Sequence, residues 1–149
     1  VPSDHDIRID LQAVIEAAAP LAVVFPWWCL GFDLPQWPGM LVSDDDQDRP
    51  HGWIITRQAI SRAEAANGLT DRRATYAIWC FHYYDTGSEA ANSEDLFQAE
   101  IDAVADALGA ASVSGIHLEP VQFPRILIAK FGEELLHVAQ GSMEVVYCG

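Results

Sequence analysis

A chain of 149 residues, half of them hydrophobic and a fifth charged, has the composition of one ordinary folded domain and excludes a disordered chain. Its formal net charge of −14 makes general binding to nucleic acid or to anionic membrane surfaces unfavourable. No apolar run reaches the roughly 20 residues that cross a bilayer, and the N-terminus lacks the basic head and cleavage site of a signal peptide, so a soluble, intracellular protein without membrane contact is expected.

In chain order, residues 6–19 read as a helix: Ile7, Leu11, Val14 and Ala18 form one apolar stripe, Asp4 or Asp6 caps the start, and Pro20 stops it. A short strand, Leu21–Phe25, leads into a segment rich in Trp and Pro, from Pro26 to Pro38, that cannot be regular helix. Met40–Val42 reads as a further short strand. The polar stretch Ser43–Gly52 reads as an exposed, solvated acidic loop. Its Asp44, Asp46 and Asp48 match the first three ligand positions of a calcium loop, but Arg49 stands where glycine is needed and Ile55 where glutamate is needed.

Trp53–Ser61 and Arg73–Tyr84 read as two strands of a long projecting hairpin, with Asn67-Gly68 as a turn signal. The alanine-rich Ala59–Ala66 fits a helical turn as an alternative. Tyr76–Tyr84 is apolar on both alternating faces, as suits a strand in the middle of a covered sheet. A second helix follows, capped by Asn92 or Ser93, with Phe97, Ile101, Val104 and Leu108 as its buried stripe and Gly109 as its stop. Ile116–Leu118, Gln122–Phe131 and Leu135–Tyr147 read as terminal strands, with Gly141 marking a bulge or kink. Few helices and frequent hairpins give an α+β class: a single domain spanning 1–149, with a mixed, mainly antiparallel sheet and two helices packed on it.

Chemistry-bearing motifs are sparse. Cys29, Cys80 and Cys148 have no short spacing, which argues against a disulfide framework or a zinc ribbon; Cys80 reads as a small buried hydrophobe. His5, His51, His82, His117 and His137 include no pair at metal-ligand spacing, and His82 and His137 read as half-buried, satisfied side chains. No nucleophile elbow, phosphate loop, dinucleotide fingerprint or zinc-protease motif is present, so no catalytic residue, metal or cofactor is expected.

Charge is the informative feature. Arg49, Arg57, Arg62, Arg72 and Arg73 share residues 49–73 with only Glu64 and Asp71, a local charge of +3, while the rest of the chain carries −17. Arginine pairs bidentately with carboxylates, so Arg57, Arg62, Arg72 and Arg73 of one copy suit Asp95, Asp102 and Asp106 on the second helix of the next. A head-to-tail contact of this kind closes into a ring.

The element order, from helix, strand and Trp/Pro loop through the hairpin Trp53-Ile-Ile-Thr-Arg to Ala77-Ile-Trp-Cys-Phe-His-Tyr-Tyr, then the Ser-Glu-Asp-Leu-Phe helix and terminal strands, resembles the tail-terminator and tail-completion proteins of long-tailed bacteriophages and related prophage particles. The passage Tyr76–Leu108 carries most of the resemblance. It implies a non-enzymatic virion protein, assembled in the bacterial cytoplasm and resident in the tail or neck. Such subunits form a ring, typically of six copies, that caps the tail tube and joins the head-side connector protein, with DNA passing through the lumen without specific binding. A head-completion protein of the same particles is the neighbouring reading. The rival from another class is a small-molecule enzyme or binding protein of cone-like α+β fold, with Trp27, Trp28, Trp37, Trp53, Trp79 and His82 lining a pocket.

Overall fold

The computed structural model describes residues 2–27, 41–64, 68–85, 90–111, 116–131 and 133–148, with backbone alone at 90, 91, 116, 117 and 148. The first helix, α1, runs Asp4–Ala18 and is capped by Ser3, not by Asp4 or Asp6. Ser3 accepts from the Asp6 backbone N–H while the Asp6 carboxylate accepts from Ser3, a reciprocal capping box. That bonding holds the Asp6 carboxyl below its ordinary value. Ile7, Leu11 and Ile15 form the buried face of α1, with Val14 and Ala18 partly buried beside them.

Two short strands, β1 (Val23–Phe25) and β2 (Val42–Ser43), flank the start of the long strand β3 (Arg49–Glu64), which turns back as β4 (Thr70–Tyr83). Helix α2 (Ala90–Ala110) follows, then β5 (Ile116–Leu118), β6 (Gln122–Phe131) and β7 (Glu134–Cys148). The strands form one sheet in the order β1-β3-β4-β7-β5, with β2 also on β3 and β6 also on β7. Only β1 and β3 pair in parallel among the described strands. The α+β class, the mixed and mainly antiparallel sheet, and the two packed helices are therefore as the sequence indicates.

Strand β4 lies at the centre, and Tyr76, Ala77, Ile78, Cys80 and Phe81 are buried on its two faces. On one face Trp53, Ile55, Tyr76, Ile78, Cys80, Ala139, Met143 and Val145 meet α1 and the predicted α2 stripe, Phe97, Ile101, Val104 and Leu108. On the other, Ile54, Phe81, Leu136 and Val138 meet Leu41, with Trp79 and Phe131 packed alongside. Burying side chains of this size stabilises the fold by about 1.5–3 kcal/mol each.

Several boundaries differ from the sequence reading, each for a local reason. The hairpin is longer than predicted: the ladder runs to Glu64 opposite Thr70, so residues up to 64 are strand, not helical turn. Gly68 beyond it has φ +72, a conformation glycine adopts freely, while Asn67 lies outside the described residues. Asn92 and Ser93 lie inside α2, which begins at Ala90, and the helix continues through Gly109 to Ala110. Gly141 makes no bulge and pairs in register with Ile78. The bulge is in β6, where the register shifts between Gln122 and Arg125, and Phe123 folds over Gly141. A Cβ there would lie 2.5 Å from the Phe123 ring. Gly141→Val is expected to cost about 1–3 kcal/mol by overpacking, read as a lower urea midpoint, and Phe123→Ala in the same chain should recover part of it.

Candidate assembly surface and buried histidine row

From Arg57 to Glu64, β3 is exposed on both faces, because β1 and β2 cover only its first residues. A register shift at Gln58, between Arg57 and Ala59, lies at the start of this exposed stretch, while β4 stays paired with β7 as far as Asp71 opposite Cys148. The predicted arginines do lie on this arm, in different settings. Arg57 reaches Asp4 of α1 at 3.5 Å, and Arg73 reaches Glu144 of β7 at 3.3 Å. Asp4 also pairs with Arg8 at 2.7 Å and accepts from the Tyr76 hydroxyl; burial pushes that phenol's pKa up, and Asp4 adds to it.

Arg62 stands directly across the ladder from Arg72, and Arg72 Nε is buried without a hydrogen-bond partner among the described residues. Like charges directly opposed in a sheet are destabilising, and an unpaired buried donor adds its desolvation cost. Asp95, Asp102 and Asp106 are exposed on α2. The ion pairs of Arg57 and Arg73 thus go to other carboxylates of the same chain, and the three aspartates remain open to solvent.

The opposite side of the sheet carries an uncovered edge that the sequence reading did not single out. Among the described strands β6 pairs with β7 alone, and Ile126, Leu127 and Ile128 are 45%, 38% and 51% exposed. Arg125 and Lys130 flank this apolar triplet. Beside it, Trp79, Phe81, Leu127, Ala129, Phe131 and Val138 line a groove of about 270 Å³ whose polar side chains are Arg125 and Gln140. Of the predicted pocket tryptophans, Trp53 is buried in the helix-side core, Trp79 stacks on Phe81, and Trp27 is exposed. Trp28 and Trp37 lie outside the described residues, as does Cys29. The described tryptophans do not converge on one cavity.

The acidic stretch before β3 is not simply a solvated loop. Asp44–Asp46 form a 3₁₀ turn, and Gln47 and Asp48 both take left-handed backbone conformations with φ 56. This reversal buries Asp46 and brings Arg49 and His51 onto the sheet. Asp46 Oδ1 pairs with Arg49 at 2.6 Å, and Asp46 Oδ2 meets His51 Nδ1 at 2.7 Å. His51 Nε2 lies 2.6 Å from Glu100 of α2, which also accepts from the Trp53 indole and the Cys80 thiol. Burial opposes the charged forms, but the hydrogen bonds win: Arg49 and His51 hold Asp46 below its ordinary value, and Glu100 and Asp46 hold His51 above its own. The Arg49 guanidinium also lies 3.7 Å over the Tyr83 ring.

His82 and His137 are fully buried rather than half-buried. His82 Nδ1 donates to the Tyr83 carbonyl, and His137 Nε2 bonds the Ser93 hydroxyl of α2. Burial raises the Cys80 thiol well above its usual range, with the Glu100 carboxylate adding to it, which opposes nucleophilic use. Among the described residues no group of three or more His, Cys, Asp or Glu is arranged to hold a metal ion. No described helix is long and apolar enough to cross a membrane.

Glu100 was not singled out from the sequence. Its position three residues after Phe97 and beside Ile101, on the edge of the apolar stripe, is the one available signal. No protein-family model matches the chain, and no curated protein matches it.

Proposed function

We propose that this chain is a structural, non-enzymatic assembly subunit that binds its own copies head to tail into a ring, and that the ring is a phage tail terminator, typically of six copies, between tail tube and head-side connector. The observation that carries the assembly reading is the opposed Arg62–Arg72 pair: Arg62 lies on a β3 segment exposed on both faces, and Arg72 Nε is buried without a partner among the described residues. Two cations forced together in this way are relieved by a carboxylate from outside, and Asp95, Asp102 and Asp106 of a neighbouring copy offer three. The uncovered β6 edge adds support, since a chain of this net charge gains most by covering its apolar strand with another protein surface. The tail-terminator identity rests on the resemblance in element order. A net negative ring would limit sticking of DNA in its lumen.

Charge reversal of the arm, Arg72→Glu with Arg73→Glu, is expected to weaken self-association by at least about tenfold and to remove its salt sensitivity. Native mass spectrometry across a salt series reads both. An unchanged ring mass in the variant sinks the arm's role, and a wild-type chain that stays monomeric in isolation and on isolated tail tubes sinks the assembly reading.

A further inference from the structure

Three histidines stand side by side across the sheet beneath α2. His51 of β3 is the direct ladder partner of His82 of β4, which is the direct partner of His137 of β7. All three are buried, with ring centroids 4.6 Å apart between His51 and His82 and 6.2 Å apart between His82 and His137. Directly opposed residues share a face of the sheet, and this row faces the helix: His137 stacks on Phe97 at 4.9 Å, His82 lies 5.9 Å from the same ring, and His51 bonds Glu100. We propose that this row is an acid-operated latch that holds α2 on the sheet and, given the assembly reading above, ties the subunit contact on α2 to pH.

The resting charge state follows from geometry. Both ring nitrogens of His51 lie within 2.7 Å of a carboxylate oxygen, so each contact needs a proton and the ring is an imidazolium held between Asp46 and Glu100. A second cation 4.6 Å away in a buried site is costly, so His82 rests neutral, donating from Nδ1 to the Tyr83 carbonyl. Burial, with the nearby charge of His51, brings the His82 pKa down to about 4, and burial lowers that of His137, with Glu94 opposing.

The charged and titratable groups facing the row are known element by element. Asp46 comes from the 3₁₀ turn, Arg49 from β3, Cys80 and Tyr83 from β4, Tyr84 and Asp85 from the segment after it, and Glu94 and Glu100 from α2. At neutral pH the imidazolium, Arg49 and the two clamping carboxylates balance. Acid adds cations at His137 and His82, and among the facing groups Glu94 and Asp85 are the carboxylates left to offset them. The strands that carry the histidines are joined by backbone ladders that do not titrate. Ser93 and Glu100 of α2 hold the row through side-chain bonds and Phe97 by ring stacking, so the helix is the element that lets go.

Hydrogen exchange measured by mass spectrometry at pH 7 and pH 4.5, corrected for intrinsic rates, tests the latch on the full chain. Between the two pH values, amides of 90–110 are expected to lose at least about tenfold more protection than those of 70–83, and His82→Phe with His137→Phe should abolish the difference. Parallel loss in both segments, or the same loss in the double variant, overturns the latch. Should the double variant not fold, NMR titration of the wild-type histidines decides. Midpoints of His82 and His137 that coincide with release of α2 support the latch, and titration without release overturns it. Native mass spectrometry separates the two readings: a ring that persists while α2 is released overturns the coupling, whereas a chain monomeric at pH 7 counts against the assembly reading and leaves the latch standing.

Discussion

Replacing His51 with leucine is expected to lower stability by about 3–5 kcal/mol, read as a fall in the urea midpoint at unchanged slope. The size comes from what is left behind more than from what is removed. Asp46 and Glu100 have opposite ends of one buried imidazolium between them, at 2.7 and 2.6 Å, and an apolar side chain leaves both carboxylates without that partner. Arg49 still pairs with Asp46, whereas among the described residues Glu100 keeps only the Trp53 indole at 3.3 Å and the Cys80 thiol at 3.8 Å. Neutralising the orphaned acids, with Asp46→Asn and Glu100→Gln added to the leucine variant, should recover much of the loss. A single leucine variant as stable as wild type would show that the cluster contributes little.

The same cluster sets the sign of the pH dependence. His51 has a folded-state pKa above 6.5, so its contribution is complete below 6.5 and disappears as pH rises through the folded value. Asp46 is depressed below 3.8, so its contribution is present above 3.8 and is lost as pH falls through the lower folded value. His82 works against the fold in mild acid: from 6.5 down to about 4 the unfolded chain takes up a proton that the folded chain refuses. Stability should therefore fall on both sides of neutrality. The leucine variant at position 51 should lose the alkaline limb and keep the acid limb set by His82, in urea midpoints measured across pH.

Periodic features were legible from the sequence, and features made by chain reversals were not. The α2 stripe follows from Phe97, Ile101, Val104 and Leu108 because helix geometry turns that spacing into one face, and all four are buried. The terminal strands were placed within a residue or two because alternation and the glycine punctuation agree. The buried histidine site joins Asp46, His51 and Glu100, and no period links them. Asp46 looked solvated because it stands in a run of aspartates, and it took the left-handed Gln47 and Asp48 to turn it inward. Gly141 was misread for a related reason: its missing side chain makes room for Phe123 from a neighbouring strand, a contact that local punctuation does not encode. The arm was legible because charge is counted directly, but the Arg62–Arg72 opposition depends on hairpin register.

Placing aspartates at the β6 edge, Ile126→Asp with Ile128→Asp, is expected to weaken self-association by at least about 100-fold, or roughly 3 kcal/mol, while moving the urea midpoint of the monomer little. The two isoleucines share one face of the strand, opposite Ala139 and His137 on β7, and each already leaves about half its surface in water. Covering that remainder against a second copy is worth about 1 kcal/mol per residue, and a carboxylate trapped there costs several more. A second copy is the favoured cover because Arg125 and Lys130, two of the four cations outside the arm, rim the strand in a chain that is otherwise strongly acidic. An apolar centre with a cationic rim draws an acidic surface in and then excludes water from the contact. The arm variants provide the comparison: charge reversal at Arg72 and Arg73 should act chiefly through salt-sensitive association, whereas the β6 variants should weaken association at every salt concentration. Assembly that is indifferent to Ile126 and Ile128 would leave the arm as the working contact and the β6 edge without a role in it.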